Sequence, residues 1–238
     1  YTKFKRPSEA GVMAAIRDLN NNGVADTLVK FGEYHLPQRG NYSTAARIYK
    51  GYLYFSSQLT VYRIKLDEEN LVPTGAAEII VHDDHAHGSH EHIGKPIAFD
   101  EEGHIFVPFG APNNACQLPK RTPLMPGQDP CPLLVDHGGI WRFDAEKIGQ
   151  TQKDGEFYAS GLRSIVALDW NTSDQSLYSV VHGRDDLHRL WPNHFSQWES
   201  ALLPSEEFVK IEKGDHFGWP YCFYDQMQGK KVLAPEYG

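Results

Sequence analysis

The chain has 238 residues, 40% of them hydrophobic and 12% aromatic, which is enough to bury a substantial core in one large or two small domains. Its 23 basic and 31 acidic residues give a formal charge of −8 and include no basic run of the kind that a phosphate backbone requires, which argues against a nucleic-acid partner. No apolar stretch approaches the roughly 20 residues that cross a bilayer, and 21 glycines with 15 prolines favour many short strands over long helices.

The ends of the chain bear on its completeness. It begins at Tyr1 without an initiator Met or an amino-terminal signal segment, and it stops at Gly238 directly after an apparent structural motif. We therefore interpret the chain as a mature fragment or as a piece of a longer polypeptide.

The first pattern with chemical meaning is DLNNNGVAD, Asp18–Asp26. Oxygen-bearing side chains recur at alternate positions and Gly23 permits a sharp turn, as in the first part of a calcium-binding loop. The predicted calcium ligands are Asp18, Asn20, Asn22 and Asp26, with the backbone carbonyl of Val24. Val29 stands where an EF-hand carries its glutamate, so the loop is of the shorter DxNxNGxxD type. A plain Asn-Gly turn in a hairpin is the alternative.

An internal repeat determines the predicted fold. Ala46–Ser57, Pro96–Gly110 and Ile165–Gly183 each contain an apolar strand, a polar turn and an aliphatic–aromatic pair that opens a second strand. A third strand follows each unit, at Val61, at Ile140 and, more weakly, at Phe208. Antiparallel units that recur every roughly 50 to 80 residues indicate an all-β fold, a β-propeller whose blades bury their faces only against their neighbours. Three units are visible and a further one begins at each end, so residues 1–238 are expected to form part of a single propeller domain, about four blades' worth.

The third unit lies within Tyr158–Leu187, which shows a clear strand–turn–strand pattern. Arg163 precedes its first strand and Arg184 follows its second strand. The two cationic side chains are therefore predicted to flank one hairpin and to meet at a common opening. Ordinary salt bridges at the rim are the alternative.

Five histidines occur within eleven residues between the first and second units. They are His82, His85, His87, His90 and His92. The last four are close enough to share a transition metal, although their spacing matches no established structural site and a solvated loop is the alternative. His92 immediately precedes the strand Pro96–Phe99, at the hairpin entrance that Arg163 occupies in the next unit. The side chains of His92 and Arg163 should therefore project from adjacent blades toward the same face.

The three cysteines bear on the cellular compartment. Cys116 and Cys131 bracket a proline-rich loop, and a disulfide between them would stabilise the fold by about 3 kcal/mol. Such a bond requires an oxidising compartment, whereas two free buried thiols are the alternative. Cys222 remains unpaired in either case.

Four stretches of the second half carry a resemblance to a known family. They are GLRSIVALDW (Gly161–Trp170), HGRDDLHRLWP (His182–Pro192), GDHFGWPYCFYD (Gly214–Asp225) and GKKVLAPEYG (Gly229–Gly238). Together they resemble the soluble glucose/sorbosone dehydrogenase family, six-bladed propellers that use pyrroloquinoline quinone (PQQ). The resemblance implies oxidation of an aldose or related sugar carbonyl, with PQQ held over the central axis and a calcium ion bridging it.

The resemblance also implies roles for particular residues. The family's general base is the histidine that enters the second hairpin, here His92, and an unperturbed imidazole near pKa ~6.5 is largely neutral at pH 7, as that role requires. Arg163 matches the arginine that meets the anionic edge of the cofactor, where a fork of donors suits a carboxylate. The neighbouring cofactor-binding position, usually asparagine, is Ser164. Gly183 and Arg184 match the pair whose backbone carbonyls hold the PQQ-bridging calcium.

Besides Ser164, two departures from the family pattern leave the function open between two classes. Ala111 stands where some members place an acid, so a carboxylate that orients His92 must come from elsewhere, and the family's late basic residues have no counterpart before Gly238. The first hypothesis is a periplasmic or secreted PQQ-dependent sugar dehydrogenase that passes electrons to an acceptor such as a quinone or cytochrome c. The second is a propeller that has lost cofactor binding and serves as an extracytoplasmic binding or assembly module, which Ser164, Ala111 and the histidine-rich insert favour.

Overall fold

The computed structural model describes residues 13–32, 45–67, 69–85 and 91–238. In chain order, the strands are β1 (Met13–Arg17), β2 (Thr27–Phe31), β3 (Ala45–Tyr49), β4 (Tyr52–Ser56), β5 (Thr60–Lys65), β6 (Glu78–His82), β7 (Ala98–Phe99), β8 (His104–Phe109), β9 (Gly139–Asp144), β10 (Gln150–Thr151), β11 (Glu156–Ser160), β12 (Ile165–Asn171), β13 (Ser176–Val181), β14 (Glu207–Ile211), β15 (Cys222–Asp225) and β16 (Lys230–Leu233). The helices are α1 (Leu187–Leu190) and α2 (Gln197–Leu202), with 3-10 turns at Pro132–Val135, Gln152–Asp154 and Pro235–Tyr237. No helix in these described ranges is long and apolar enough to span a membrane.

Three antiparallel sheets follow one another along the chain and correspond to the three sequence units. The first blade has the strand order β3-β4-β5-β6, the second β7-β8-β9-β11 and the third β12-β13-β14. The hairpin β1-β2 precedes them and the hairpin β15-β16 follows. The predicted all-β, propeller-type fold and its repeat are thus confirmed, whereas six blades in the whole protein and a single domain over residues 1–238 stay predictions.

The second blade is buried on both faces because its strands alternate their side chains between two neighbouring blades. On β8, Ile105 and Val107 pack against the first blade, and Phe106 between them packs against the third. On β9, Ile140 packs against the third blade and Trp141 against the first. This explains the unbroken apolar run of β8, since a strand with one solvated face would alternate polar and apolar residues.

Two connections reach back to the outer strand of the preceding blade. The strand β10 pairs in parallel with β6 of the first blade, with Gln150 opposite Val81. One blade later, His216 forms a parallel bridge with Ser160 of β11. Backbone pairing therefore joins successive blades in addition to the packing of their side chains.

The inner edges of the three blades face a common cavity of about 190 Å³, lined by parts of β3 and β12 and by the residues just before β7. Arg47 of β3 crosses this space. Its Nη2 donates to the carbonyl of Leu168 at 3.1 Å, and its Nε donates to that of Ile97 at 3.4 Å. One side chain of the first blade thereby bonds to the inner edges of the other two.

The candidate functional residues lie at one end of the blades, which we call the site face. It is the end at which β7 and β12 begin and β8 and β13 finish. The loop from β8 to β9 lies there and contains the disulfide Cys116–Cys131, with the two Cα atoms 6.0 Å apart. The disulfide predicted from the sequence is therefore present, and Cys222 is a free, partly buried thiol.

A buried ion pair connects the site face to the 3-10 turn near Gly238. Nη2 of Arg184 lies 2.6 Å from Oε1 of Glu236, and the two side chains are 4% and 0% exposed. Trp191 donates its indole N–H to the same oxygen at 2.9 Å. Arg163 and Arg184 line one cavity, in agreement with the common opening that the sequence predicted, while the guanidinium of Arg184 is bound by Glu236.

Breaking this ion pair is expected to destabilise the fold strongly. Glu236→Gln keeps the side-chain shape but leaves Arg184 as an uncompensated buried charge, so the free energy of unfolding should fall by about 3 kcal/mol. Denaturant titration measures this change. As a control, Glu146→Gln removes the exposed pair with Lys50, which should cost at most about 1 kcal/mol. Equally small losses in both variants would show that the buried pair is not important for stability.

Candidate active site

His92 lies on the site face in a fixed orientation. Its side chain is buried, and its Nδ1 lies 2.8 Å from the backbone carbonyl of Ala111. Because a carbonyl can only accept, Nδ1 carries the proton and Nε2 carries the lone pair. The amide of Ala111 in turn donates to the carbonyl of Arg163 at 2.8 Å. A backbone carbonyl, rather than the carboxylate that some family members use, therefore orients the imidazole.

The position of His92 depends on a glycine at the end of β8. A Cβ placed on Gly110 would overlap the backbone carbonyl oxygen of His92 and would also crowd its side chain. Glycine is required here for the close approach of two backbone segments. The segment Gly110–Ala111 thus determines both where His92 lies and which nitrogen it presents.

Arg163 stands at the centre of the site, and its guanidinium is almost entirely buried. Five groups accept hydrogen bonds from this guanidinium. They are Nε2 of His92 (3.0 Å), Oδ1 of Asn114, Oδ1 of Asp185 (3.3 Å) and the backbone carbonyls of His182 (3.2 Å) and Gly183. The sequence prediction that His92 and Arg163 meet on one face is therefore confirmed.

Burial and the neighbouring charges shift the pKa values of these groups. Burial, and then the positive charge of Arg163, lower the pKa of His92 to about 4. Burial lowers the pKa of Arg163 to about 10, so the guanidinium stays charged at neutral pH. Burial alone would raise the pKa of Asp185, but Arg163 and a hydrogen bond from Asn114 leave it lowered. His92 is thus neutral at pH 7, as expected, but it is a weaker base than an unperturbed imidazole.

The other three predicted cofactor-binding residues, Gly183, Ser164 and Arg184, each make different contacts. The carbonyl of Gly183 faces the guanidinium of Arg163, and a Cβ on Gly183 would overlap the backbone of Ser205. Ser164 accepts the amide of His182 at 2.8 Å through its backbone carbonyl, which fixes the start of β12 beside the end of β13. The Arg184 side chain is directed to the ion pair with Glu236, so a role for Arg184 in the site rests on its backbone.

The structure adds residues that the sequence did not single out. Asn114 bonds both Arg163 and Asp185. Near the site, Glu91 accepts from Lys120 at 3.0 Å and from Arg121 at 2.9 Å, and Arg121 also pairs with Asp186. The available signal was the polar pair Asn113–Asn114, which three residues separate from the end of the buried strand β8, on the face where His92 was expected.

Comparison with known proteins agrees with this geometry. The profile of the glucose/sorbosone dehydrogenase family matches residues 34–235. The chain belongs to this family. No curated protein sequence matches the chain.

Solved structures show that the family member has a propeller-type fold. The calcium structure of a Trichoderma reesei carbohydrate-active enzyme of family AA12 superposes with a TM-score of 0.58 and 16% identity, over 76% of this chain and 44% of that one. The holo PQQ domain of pyranose dehydrogenase from Coprinopsis cinerea superposes with a TM-score of 0.57 and 13% identity, over 87% and 48% of the two chains. At these identities the likeness shows the fold alone. The chain spans less than half the length of either structure.

The early loop of this family member forms the turn between β1 and β2. Its oxygens accept amide protons within the loop: Asp18 Oδ2 from Gly23 at 2.7 Å, Asn22 Oδ1 from Val24 at 2.8 Å, and Asp26 Oδ2 from Leu19 at 2.8 Å. Asn20 donates its side-chain amide to Asp26 at 3.2 Å. The backbone hydrogen bond from Gly23, above all, lowers the pKa of Asp18, which keeps that carboxylate ionised. The hairpin is thus present, and calcium binding by Asp18, Asn20, Asn22, Val24 and Asp26 stays a prediction.

We expect calcium to stabilise the protein through this loop. A cation at 100 times its Kd adds about 2.7 kcal/mol to the free energy of unfolding, because it binds the folded state alone. Replacing Asp18 and Asp26 together by alanine should therefore lower the Tm more in calcium than in chelator, where only the hydrogen bonds of the loop itself are lost. An equal decrease of the Tm in both buffers would show that the loop is only a turn.

The histidine-rich insert separates into different environments. His82 bonds Thr60 Oγ1 at 2.9 Å, His85 bonds Asp83 at 2.9 Å, and His92 lies in the site. His87 and His90 lie outside the described residues, so the shared metal site stays a prediction. Among the described residues, the group of side chains close enough to hold one ion is Asp100, Glu102 and His104, in the turn between β7 and β8 and at the first residue of β8, at the opposite end of the second blade.

Proposed function

We propose that this protein takes part in PQQ-dependent oxidation of an aldose or related sugar, with calcium as a second cofactor. The observation that carries the proposal is the contact between the buried guanidinium of Arg163 and the unprotonated Nε2 of His92. It brings a cation for an anionic cofactor and a base for a hydroxyl proton to one point of the site face.

The residues present fit such a cofactor chemically. PQQ is a quinone that carries carboxylates, and it supplies the hydride acceptor when bound. The fork of N–H donors on Arg163 suits one of those carboxylates, and the carbonyl of Gly183 beside it is the type of oxygen that calcium prefers. Ser164 and the backbone of Arg184 would complete this part of the cofactor site.

His92 would act as the base at Nε2. Its Nδ1 proton is held by Ala111, so Nε2 is the nitrogen that can accept the proton of a sugar hydroxyl once the guanidinium of Arg163 turns from Nε2 to the cofactor. The positive charge of Arg163 helps to lower the pKa of His92. An anionic partner for Arg163 would compensate that charge and raise the pKa of His92 toward neutrality, where a general base is most effective.

The proposal includes a cellular setting. The disulfide Cys116–Cys131 requires an oxidising compartment, which supports a periplasmic or secreted protein. Oxidation of sugar by a bound quinone then needs an electron acceptor such as a soluble quinone or cytochrome c.

One observation favours a second function. All five hydrogen bonds of the Arg163 guanidinium end on groups of the protein itself, so the site is already satisfied as a structural network. Such a network would also serve a propeller that no longer binds cofactor and works as an extracytoplasmic binding or assembly module.

Reconstitution of the full-length protein distinguishes the two functions. With PQQ and calcium together, we expect the absorbance of bound quinone and sugar-dependent reduction of a dye. When either PQQ or calcium is omitted, we expect no dye reduction. Arg163→Ala should weaken PQQ binding, whereas Arg142→Ala, which removes a pair with Glu156 on the second blade, should not. Absence of PQQ binding by the unmutated protein would favour the binding module.

A further inference from the structure

Asn114 lies between the two charged groups of the site. It is 2% exposed, its Oδ1 accepts from Nη1 of Arg163, and its Nδ2 donates to Oδ1 of Asp185 at 2.7 Å. Arg163 and Asp185 also contact each other directly, with 3.3 Å between Nη1 and Oδ1. The amide therefore occupies a place where an oxygen must face the guanidinium and an N–H must face the carboxylate. Of the uncharged side chains of this size, only asparagine offers both groups.

The backbone of Asn114 is firmly held. Its carbonyl accepts the indole N–H of Trp219 at 2.8 Å. Two residues further on, the disulfide Cys116–Cys131 anchors the same loop without the Asn113 side chain. The side chain of Asn114 is thus presented to Arg163 from a rigid support.

This support matters because Arg163 has competing partners. Without the amide, the guanidinium would lose one acceptor, and the carboxylate of Asp185 would lose a donor and attract the guanidinium more closely. A guanidinium drawn toward Asp185 would leave Nε2 of His92. We propose that Asn114 is a positioning residue that holds the guanidinium of Arg163 against Nε2 of His92. Its catalytic meaning rests on the proposed function, but the placement of Arg163 does not.

The test measures His92 in the cofactor-free protein. Isotope-labelled imidazole signals followed by NMR against pH give the pKa of His92, which burial and Arg163 lower in the unmutated chain and on which Glu91 and Asp185 act in the opposite direction. In Asn114→Leu, departure of the guanidinium should raise that pKa by about 1 unit, a tenfold change in proton affinity. Arg163→Ala gives the reference for complete loss of the charge. The double variant should match Arg163→Ala alone, because Asn114 acts through Arg163.

Asn113→Ala is the matched control. Asn113 is also buried, but its hydrogen bonds remain within its own loop, to Cys116 and Gln117, so the pKa of His92 should not change. If Asn114→Leu does not fold, Asn114→Ser, which is smaller and polar, is measured in the same way. An unchanged pKa in the folded Asn114 variant, or a double variant whose shift is the sum of the two single shifts, would overturn the proposal.

A binding measurement connects this inference to function. If the full-length protein binds PQQ, Asn114→Leu should weaken that binding by about tenfold, in line with a displaced Arg163, whereas Asn113→Ala should not. If the unmutated protein binds no PQQ, the proposed function fails, while the NMR result still decides the role of Asn114.

Discussion

His92→Ala is expected to reduce sugar-dependent dye reduction by the PQQ- and calcium-loaded protein about 10²–10⁴-fold, the usual cost of losing a positioned proton acceptor. Nε2 of His92 is the unprotonated nitrogen of a buried imidazole and lies 3.0 Å from Nη1 of Arg163. Removing the ring removes that acceptor but leaves the guanidinium available to an anionic ligand. PQQ should therefore remain bound, and the loss should appear in kcat.

Two further variants separate the chemistry of His92 from its structural role. His92→Asn can still donate a hydrogen bond toward Ala111 but lacks the basic nitrogen, so it should lose as much activity as the alanine variant. His82→Ala removes another site-face histidine, which bonds Thr60, and should retain activity. Near-normal turnover of both His92 variants with PQQ bound would show that His92 is not the base.

Gly110→Ala is expected to cost at least about 10²-fold in the same assay, because it would displace the base without removing it. The new Cβ would overlap the carbonyl oxygen of His92, and this backbone contact cannot relax by rotation of a side chain. A shift of about 1 Å in a catalytic group is enough for a loss of this size. The variant should also melt at a lower temperature, since β8 is part of the core between the first and second blades.

Gly75→Ala is the control for Gly110→Ala. A Cβ at Gly75 meets no atom within 4 Å, and its backbone conformation is open to any residue. Activity and Tm should therefore be nearly unchanged. If Gly110→Ala behaved like Gly75→Ala, the position of His92 would not depend on the close approach of these backbone segments.

The contact between His92 and Arg163 could be predicted because it follows from the repeat. Both residues precede the first strand of their blade, His92 by six residues and Arg163 by two, so both lie on the face where those strands begin. The strands β12 and β13 could also be predicted, because their apolar positions and the polar turn between them form a local sequence pattern. The outer strands β6 and β11 were missed, since each is a short, partly polar run that is stabilised mainly by pairing with the strand before it.

The contacts that the sequence did not reveal join distant positions. Asn114 meets Arg163 across 49 residues and Asp185 across 71 residues. Arg184 is directed inward by Glu236, which lies 52 residues further on. Side-chain direction at these positions depends on the tertiary partner, and a single sequence shows no periodicity for it. The same holds for Ala111, whose contribution is a backbone carbonyl that its residue type does not indicate.

Arg47 affects how cooperatively the three blades unfold. In arrays of repeats that touch only their neighbours, stability is close to a sum of local contributions, and the ends can open independently. Arg47 bonds the first blade directly to the carbonyl of Leu168 in the third, past the second. Opening of either blade therefore weakens the other, which makes the transition more cooperative than nearest-neighbour packing alone would allow. In hydrogen-exchange terms, amides of the first and third blades should become exposed together, and the sandwiched second blade should be protected the longest.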